Sequence, residues 1–93
     1  MRDGNGFYAK CANPEDINKA LCPAYVAGLH DMAGYLWASG RVRAEVCPSA
    51  AVTVPQYVDI LLKYLRDNPE QRHKPTGELM WTAASKAFPC SPR

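Results

Sequence analysis

The stretch "YLRDNPEQRHKPTGELM", Tyr64 to Met80, decides how the rest of the chain is read. An apolar run with helical spacing halts at Asn68-Pro69, a charged segment follows, and a second apolar run begins beyond Pro75. Proline disfavours the helical conformation in the residue before it and suits the first position of a new helix. The stretch therefore reads as two helices joined by a loop, Asn68 to Pro75. Between its prolines the loop carries Glu70, Gln71, Arg72, His73 and Lys74.

On the N-terminal side of the loop, Thr53 is placed to cap a helix whose apolar stripe is Val54, Tyr57, Val58, Leu61, Leu62 and Leu65. On the C-terminal side, Leu79/Met80, Ala83/Ala84 and Ala87/Phe88 repeat every four residues, a packing stripe that Pro89 ends. Residues 41–52, "RVRAEVCPSAAV", have no helical period and read as an ordered loop held by Cys47.

Nearer the start, the pattern predicts a long helix from Pro14 to Ala38. Asn13 is its N-cap, Glu15 and Asp16 complement the dipole of its first turn, and Gly40 terminates it. Ile17, Leu21, Tyr25, Gly28, Leu29, Met32 and Leu36 form its stripe, and Gly28 and Gly34 mark positions where another backbone could approach. A short helix, Asp3 to Cys11, precedes it and is weakened by Gly4 and Gly6. No alternating strand pattern of useful length is present. The expected fold is all-α, a small disulfide-stapled bundle of about four helices forming one domain, residues 1–93.

The chain has 93 residues, 47% of them hydrophobic and 22% charged, with a net charge of +2. That charge is too small to argue for nucleic acid, and no basic run is interleaved with aromatics. No apolar stretch approaches the ~18 residues of a membrane span. The polar start "MRDGNGFY" lacks a signal core and reads as a mature N-terminus from which an export signal has been removed.

Four cysteines, Cys11, Cys22, Cys47 and Cys90, are well spaced, and none forms a C-x-x-C pair with nearby histidines. This disfavours zinc and favours two disulfides in an oxidising compartment. A turn through "ANPE" sets the first two helices side by side, which favours Cys11–Cys22. Cys47–Cys90 would then tie the ends of the helical hairpin. Cys11–Cys47 with Cys22–Cys90 remains an open alternative.

Catalysis finds little support. His30 and Asp31 are neighbours on a helix and point about 100° apart, so neither holds the other. Disulfide pairing removes any thiolate nucleophile. Neither a cofactor nor a metal is expected. Tyr25, Tyr57 and Trp81 read as core aromatics, whereas Tyr35 and Trp37 form a candidate partner-facing patch.

Several separated motifs then agree in order and spacing with one family. "CPAYVAGLHDM" (Cys22–Met32), "CPSAAVTVPQYVDILLKYLRDNPEQRHKP" (Cys47–Pro75) and "AFPC" (Ala87–Cys90) resemble the Rap/Tai immunity proteins. These neutralise peptidoglycan amidase toxins delivered by the bacterial type VI secretion system. Pro23-Ala24 and Gly77 depart from the family pattern at positions that concern helix packing. The resemblance implies a periplasmic helical protein, often a homodimer, that binds and occludes the active site of an amidase effector.

The partner-binding expectation falls on Asn68, Glu70, Gln71, Arg72, His73 and Lys74. A proline-bounded loop is stiff before it binds, so inserting it into a groove costs little ordering entropy. At Arg72 and His73 a second reading competes: a cation there can satisfy the last carbonyls of the preceding helix. A different class of function, a periplasmic small-ligand-binding or chaperone-like domain, would require an apolar cavity between helices.

Overall fold

Among the described residues of the computed structural model, 1–16 and 20–90, four α-helices and one 3-10 turn make up the fold. They are α1 (Gly4–Cys11), α2 (Leu21–Ala38), α3 (Val54–Asp67), the 3-10 turn Pro69–Gln71, and α4 (Thr76–Ala87). The all-α expectation holds. Extended pairing among these residues is limited to two isolated bridges, Asp3 with Pro75 and Val46 with Pro89.

α3 is the spine. Thr53 and Gln56 form a reciprocal capping box: the Gln56 N–H donates to Thr53 Oγ1 (3.3 Å) and the Thr53 N–H donates to Gln56 Oε1 (2.7 Å). Two otherwise orphaned donors are thereby satisfied at once. Tyr57, Leu61 and Leu65 are buried along one face, where α1, α2 and α4 all pack. α4 answers with Leu79, Met80, Ala83 and Ala84, whose small alanines let the two helices approach closely.

α2 corrects the sequence reading in two respects. It starts at Leu21, not Pro14. Asn13 caps a turn instead: its Oδ1 accepts from the Glu15 N–H (2.9 Å) and its carbonyl from the Asp16 N–H (3.2 Å). The bridge between Cys11 and Cys22, with Cα atoms 6.0 Å apart, gives the reason. A helix begun at Pro14 would carry Cys22 about 12 Å past the hairpin base, alongside the middle of α1 and away from its last residue. Ile17 lies outside the described residues.

The second correction concerns rotation. Leu21 and Met32, placed on the predicted stripe, are 55% and 58% exposed, while Cys22 and Val26 are buried. The inward line runs through Cys22, Val26, Leu29, Ala33 and Trp37, one residue round the helix from the predicted one. Because Cys22 must face Cys11, the staple fixes which side of α2 turns inward. Nothing approaches a Cβ built on Gly28 or Gly34.

Gly40 ends α2 as expected. It adopts φ 76°, the left-handed region that favours glycine. The Arg41 N–H reaches back to Leu36 O (2.9 Å) and the Gly40 N–H to Trp37 O (3.1 Å), a Schellman closure. The loop beyond is ordered through its far end. Cys47 donates its N–H to Phe88 O (2.7 Å), buried Val46 bridges Pro89, and Cys47 is bonded to Cys90. Both favoured disulfides are thus present, and no cysteine is free. In the chain-entropy model, bridges spanning 11 and 43 residues contribute about 3 and about 4 kcal/mol. For so small a core that rivals the whole net stability.

Replacing the fully buried Leu61 by Ala is expected to lower the unfolding free energy by about 3 kcal/mol. Leu21→Ala, on the exposed side of α2, is expected to change it by less than about 0.5 kcal/mol. Urea titrations of both variants check the burial pattern and the corrected rotation together.

Candidate functional site

The loop between α3 and α4 divides into an inward and an outward set of side chains. Asn68 caps α3, with its Nδ2 and its backbone N–H both donating to Tyr64 O at 2.9 Å. Arg72 is half-buried: its Nε donates to Leu65 O (2.7 Å), and its guanidinium lies 4.0 Å from the centroid of the Tyr8 ring on α1. The last carbonyls of α3 are therefore answered by the loop that follows it. Asn68 and Arg72 both serve the fold.

The outward set is different. Glu70 and His73 are exposed. Gln71 is half-buried, its N–H donating to Asn68 O (2.9 Å) and its carbonyl accepting from the Lys74 N–H (3.0 Å). Lys74 is half-buried, with its Nζ 3.8 Å from Glu78 in a partly exposed pair of little energetic weight. The bonds among Asn68, Pro69, Gln71 and Lys74 give the loop internal closure, so its tip is presented as a formed shape. At its foot, a cleft of about 260 Å³ is lined by Tyr64, Asp67, Asn68 and Lys86. A hydrogen bond from Lys63 (2.8 Å) holds the Asp67 carboxyl below its ordinary pKa.

The N-terminal segment also touches the loop, a contact that no local sequence signal announces. Gly4 and Asn5 donate their N–H groups to Lys74 O (3.1 Å) and Arg72 O (2.8 Å). Thr76, buried completely, donates its N–H to Arg2 O (2.8 Å) and its hydroxyl to Met1 O (2.7 Å). Gly4 and Gly6 looked like plain weaknesses of α1. Gly4 turns out to sit where any Cβ would meet Leu79 Cδ1 at 2.5 Å and Arg72 O at 2.8 Å. No single-residue signal separates a glycine that weakens a helix from one that permits close approach.

A second feature lies on another side of the molecule. α2 and α4 both rest on α3 and diverge from each other, leaving an apolar groove of about 200 Å³. Leu29, Ala33 and Trp37 of α2, Tyr57 of α3, and Met80 and Trp81 of α4 line it. Trp37 and Trp81 meet edge to face at 5.6 Å, and Trp81 Nε1 donates to Glu45 Oε1 (2.8 Å). The buried Trp37 Nε1 has no hydrogen-bond partner among the described residues. His30 packs against Tyr57 with ring centroids 5.1 Å apart, and burial raises the Tyr57 phenol above its ordinary pKa.

Of the aromatic patch expected at the end of α2, Tyr35 is exposed and Trp37 is turned into the groove. Arg41 covers the Tyr35 ring at 5.4 Å and donates to its hydroxyl (3.1 Å). Every exposed large hydrophobic side chain among the described residues, namely Leu21, Met32 and Tyr35, lies on α2.

All four cysteines are in bridges, so no thiolate is on offer, and Asp31 is exposed while the His30 ring packs on Tyr57. Among the described residues no group of three His, Cys, Asp or Glu side chains is arranged to hold a metal ion. A helical bundle with a stiff polar loop, cysteines spent on cross-links and the motif Pro69-Glu70-x-Arg72-His73-x-Pro75 is consistent with an immunity protein. The family model of the Rap1a immunity proteins matches residues 3–90, nearly the whole chain.

The chain belongs to the Rap1a immunity protein family. No curated protein and no solved structure matches it. Family membership makes binding to a cognate effector its coarse function. It also fits the two disulfides, which form and persist in oxidising surroundings. Among the described residues no helix is long and apolar enough to cross a membrane.

Arg72→Ala removes a charged donor from Leu65 O and the cation over Tyr8. Unfolding free energy is expected to fall by about 2 kcal/mol, with helical circular dichroism retained. Chemical denaturation of parent and variant measures the loss.

Proposed function

We infer that this chain is a periplasmic immunity protein that binds a type VI secretion cell-wall amidase and occludes its active site with the loop Asn68–Pro75. The observation that carries this reading is the loop's division of labour. Asn68 and Arg72 are spent on the fold, while Glu70 and His73 stand exposed on a backbone already closed by its own hydrogen bonds. A loop ordered before encounter loses little entropy on insertion, so its outward groups contribute nearly their full interaction energy. Glu70 and His73 lead the contact set, with Gln71 and Lys74 beside them. The inhibitor acts by steric block and needs no chemistry of its own.

The homodimer implied by the family resemblance has a natural surface in the outer side of α2. Leu21 and Tyr35 offer exposed apolar area there, and Met32, also exposed, stands where that side meets the groove between α2 and α4. The apolar groove between α2 and α4 supports a second reading, in which a small apolar molecule is held against Trp37 and Trp81. The loop reading is preferred because it accounts for the charged, proline-bounded segment that the groove leaves unexplained.

Glu70→Ala combined with His73→Ala is expected to leave the melting temperature unchanged and to weaken inhibition of the cognate amidase about tenfold or more. Periplasmic co-expression with candidate cell-wall amidases identifies the partner by protection from lysis, and a titrated peptidoglycan-cleavage assay reads the affinity. Undiminished inhibition by the double variant would reduce the loop to a connector.

A further inference from the structure

The first turn of α1 and the candidate binding loop form a single hydrogen-bonded unit. A helix leaves its first four N–H groups without internal partners. In α1, whose first internal bond runs from Phe7 N–H to Asp3 O, Gly6 donates to the Asp3 side chain, whereas Gly4 and Asn5 donate to Lys74 O and Arg72 O in the loop. The loop's carbonyls therefore cap α1, and α1 in turn fixes the direction of those carbonyls. Thr76, fully buried just past the loop, adds two bonds to Met1 O and Arg2 O, and Tyr8 supplies the ring face beneath the Arg72 guanidinium.

This unit is not self-sufficient. α1 has eight residues and begins Gly4-Asn5-Gly6, far short of the ~12–15 residues an isolated helix needs in water. Apart from its bonds to the loop and Thr76, α1 is held down by the buried Phe7 ring and by the Cys11–Cys22 bridge at its last residue. That bridge lies about 10 Å along the helix from the turn that grips the loop. The α3–α4 hairpin is independently closed by Cys47–Cys90, so its core at Leu61, Leu65 and Leu79 has support that α1 does not provide.

We propose that residues 1–11, secured by Cys11–Cys22, are a positioning brace that sets the shape of the loop Asn68–Pro75, with Gly4 and Arg72 as its positioning residues. Gly4 is required because a methyl group there would press on Arg72 O, which cannot retreat without breaking its bond to the Asn5 N–H. Arg72 is tied to the brace twice, by its carbonyl to Asn5 and its guanidinium to Tyr8, while its Nε bond to Leu65 O anchors it to α3. Effector affinity then depends on a disulfide that never touches the effector. This last consequence rests on the reading of the loop as the contact surface; the brace itself does not.

Amide hydrogen exchange on the full chain tests the brace without an effector. In Gly4→Ala, and separately in Cys11→Ser/Cys22→Ser, the amides of Arg72, Lys74 and Thr76 are expected to exchange about tenfold faster or more. Those of Leu61 and Leu65 in α3, which open only with the whole fold, report the lost global stability, and the loop amides should accelerate by a clearly larger factor than they do. Tyr8→Leu, which preserves apolar bulk and removes only the ring face, is expected to accelerate the same loop amides by a smaller factor. It decides the matter should either of the first two variants lose global structure. Loop amides that accelerate no more than those of Leu61 and Leu65 in the folded variants overturn the proposal. Inhibition assays on the same proteins separate the two claims: a loosened loop with full inhibition would remove the loop from the interface while leaving the brace intact.

Discussion

One face of α3, carrying Tyr57, Leu61 and Leu65, receives the packing of all three other helices. A chain of 93 residues cannot spread its apolar surface over several cores, and here it is gathered on this single helix. The capping box at Thr53 and the Asn68 and Arg72 bonds at the opposite end fix both ends of α3. With the spine set, α4 folds back through the proline-bounded loop, and α1 and α2 are carried in as a pair by Cys11–Cys22.

Local chemistry made much of this readable in the sequence. Thr53, Gly40, Pro69 and Pro89 are each a short-range signal for a start or a stop, and each acts where expected. The favoured cysteine pairing also survives, because proximity of the two chain segments was enough to suggest it. The start of α2 was not readable. Asn13-Pro14-Glu15-Asp16 has every residue of a helix N-terminus, yet it builds a turn, because a covalent bond eleven residues apart outranks local preference. The rotation of α2 failed for the same reason: Leu21 and Cys22 are adjacent candidates for the inward side, and only the partner of Cys22 chooses between them.

The loop stood out by its prolines and charges, and a cation answering the last carbonyls of α3 was legible at Arg72 or His73; the fold gives that task to Arg72. Arg72, Lys74 and His73 look alike as a basic cluster. In the fold, Arg72 is stacked and bonded, Lys74 lends its carbonyl to Gly4 and pairs with Glu78, and His73 is exposed. These distinctions come from α1, some seventy residues earlier in the chain, so no window of sequence around the loop contains them. The groove between α2 and α4 was hidden likewise, since it arises from the divergence of two helices that both satisfy their packing on a third.

The bridge from Cys47 to Cys90 has a further bearing on the loop it encloses. It makes α3, the loop and α4 a covalent ring. Should a protease cut the exposed tip near His73, the ring opens into two arms that stay joined through sulfur, and neither fragment diffuses away. Each arm then meets the other at the high effective concentration of a tether, which favours re-docking over dispersal. The exposed tip of the loop can in this way be nicked while the two arms still hold together.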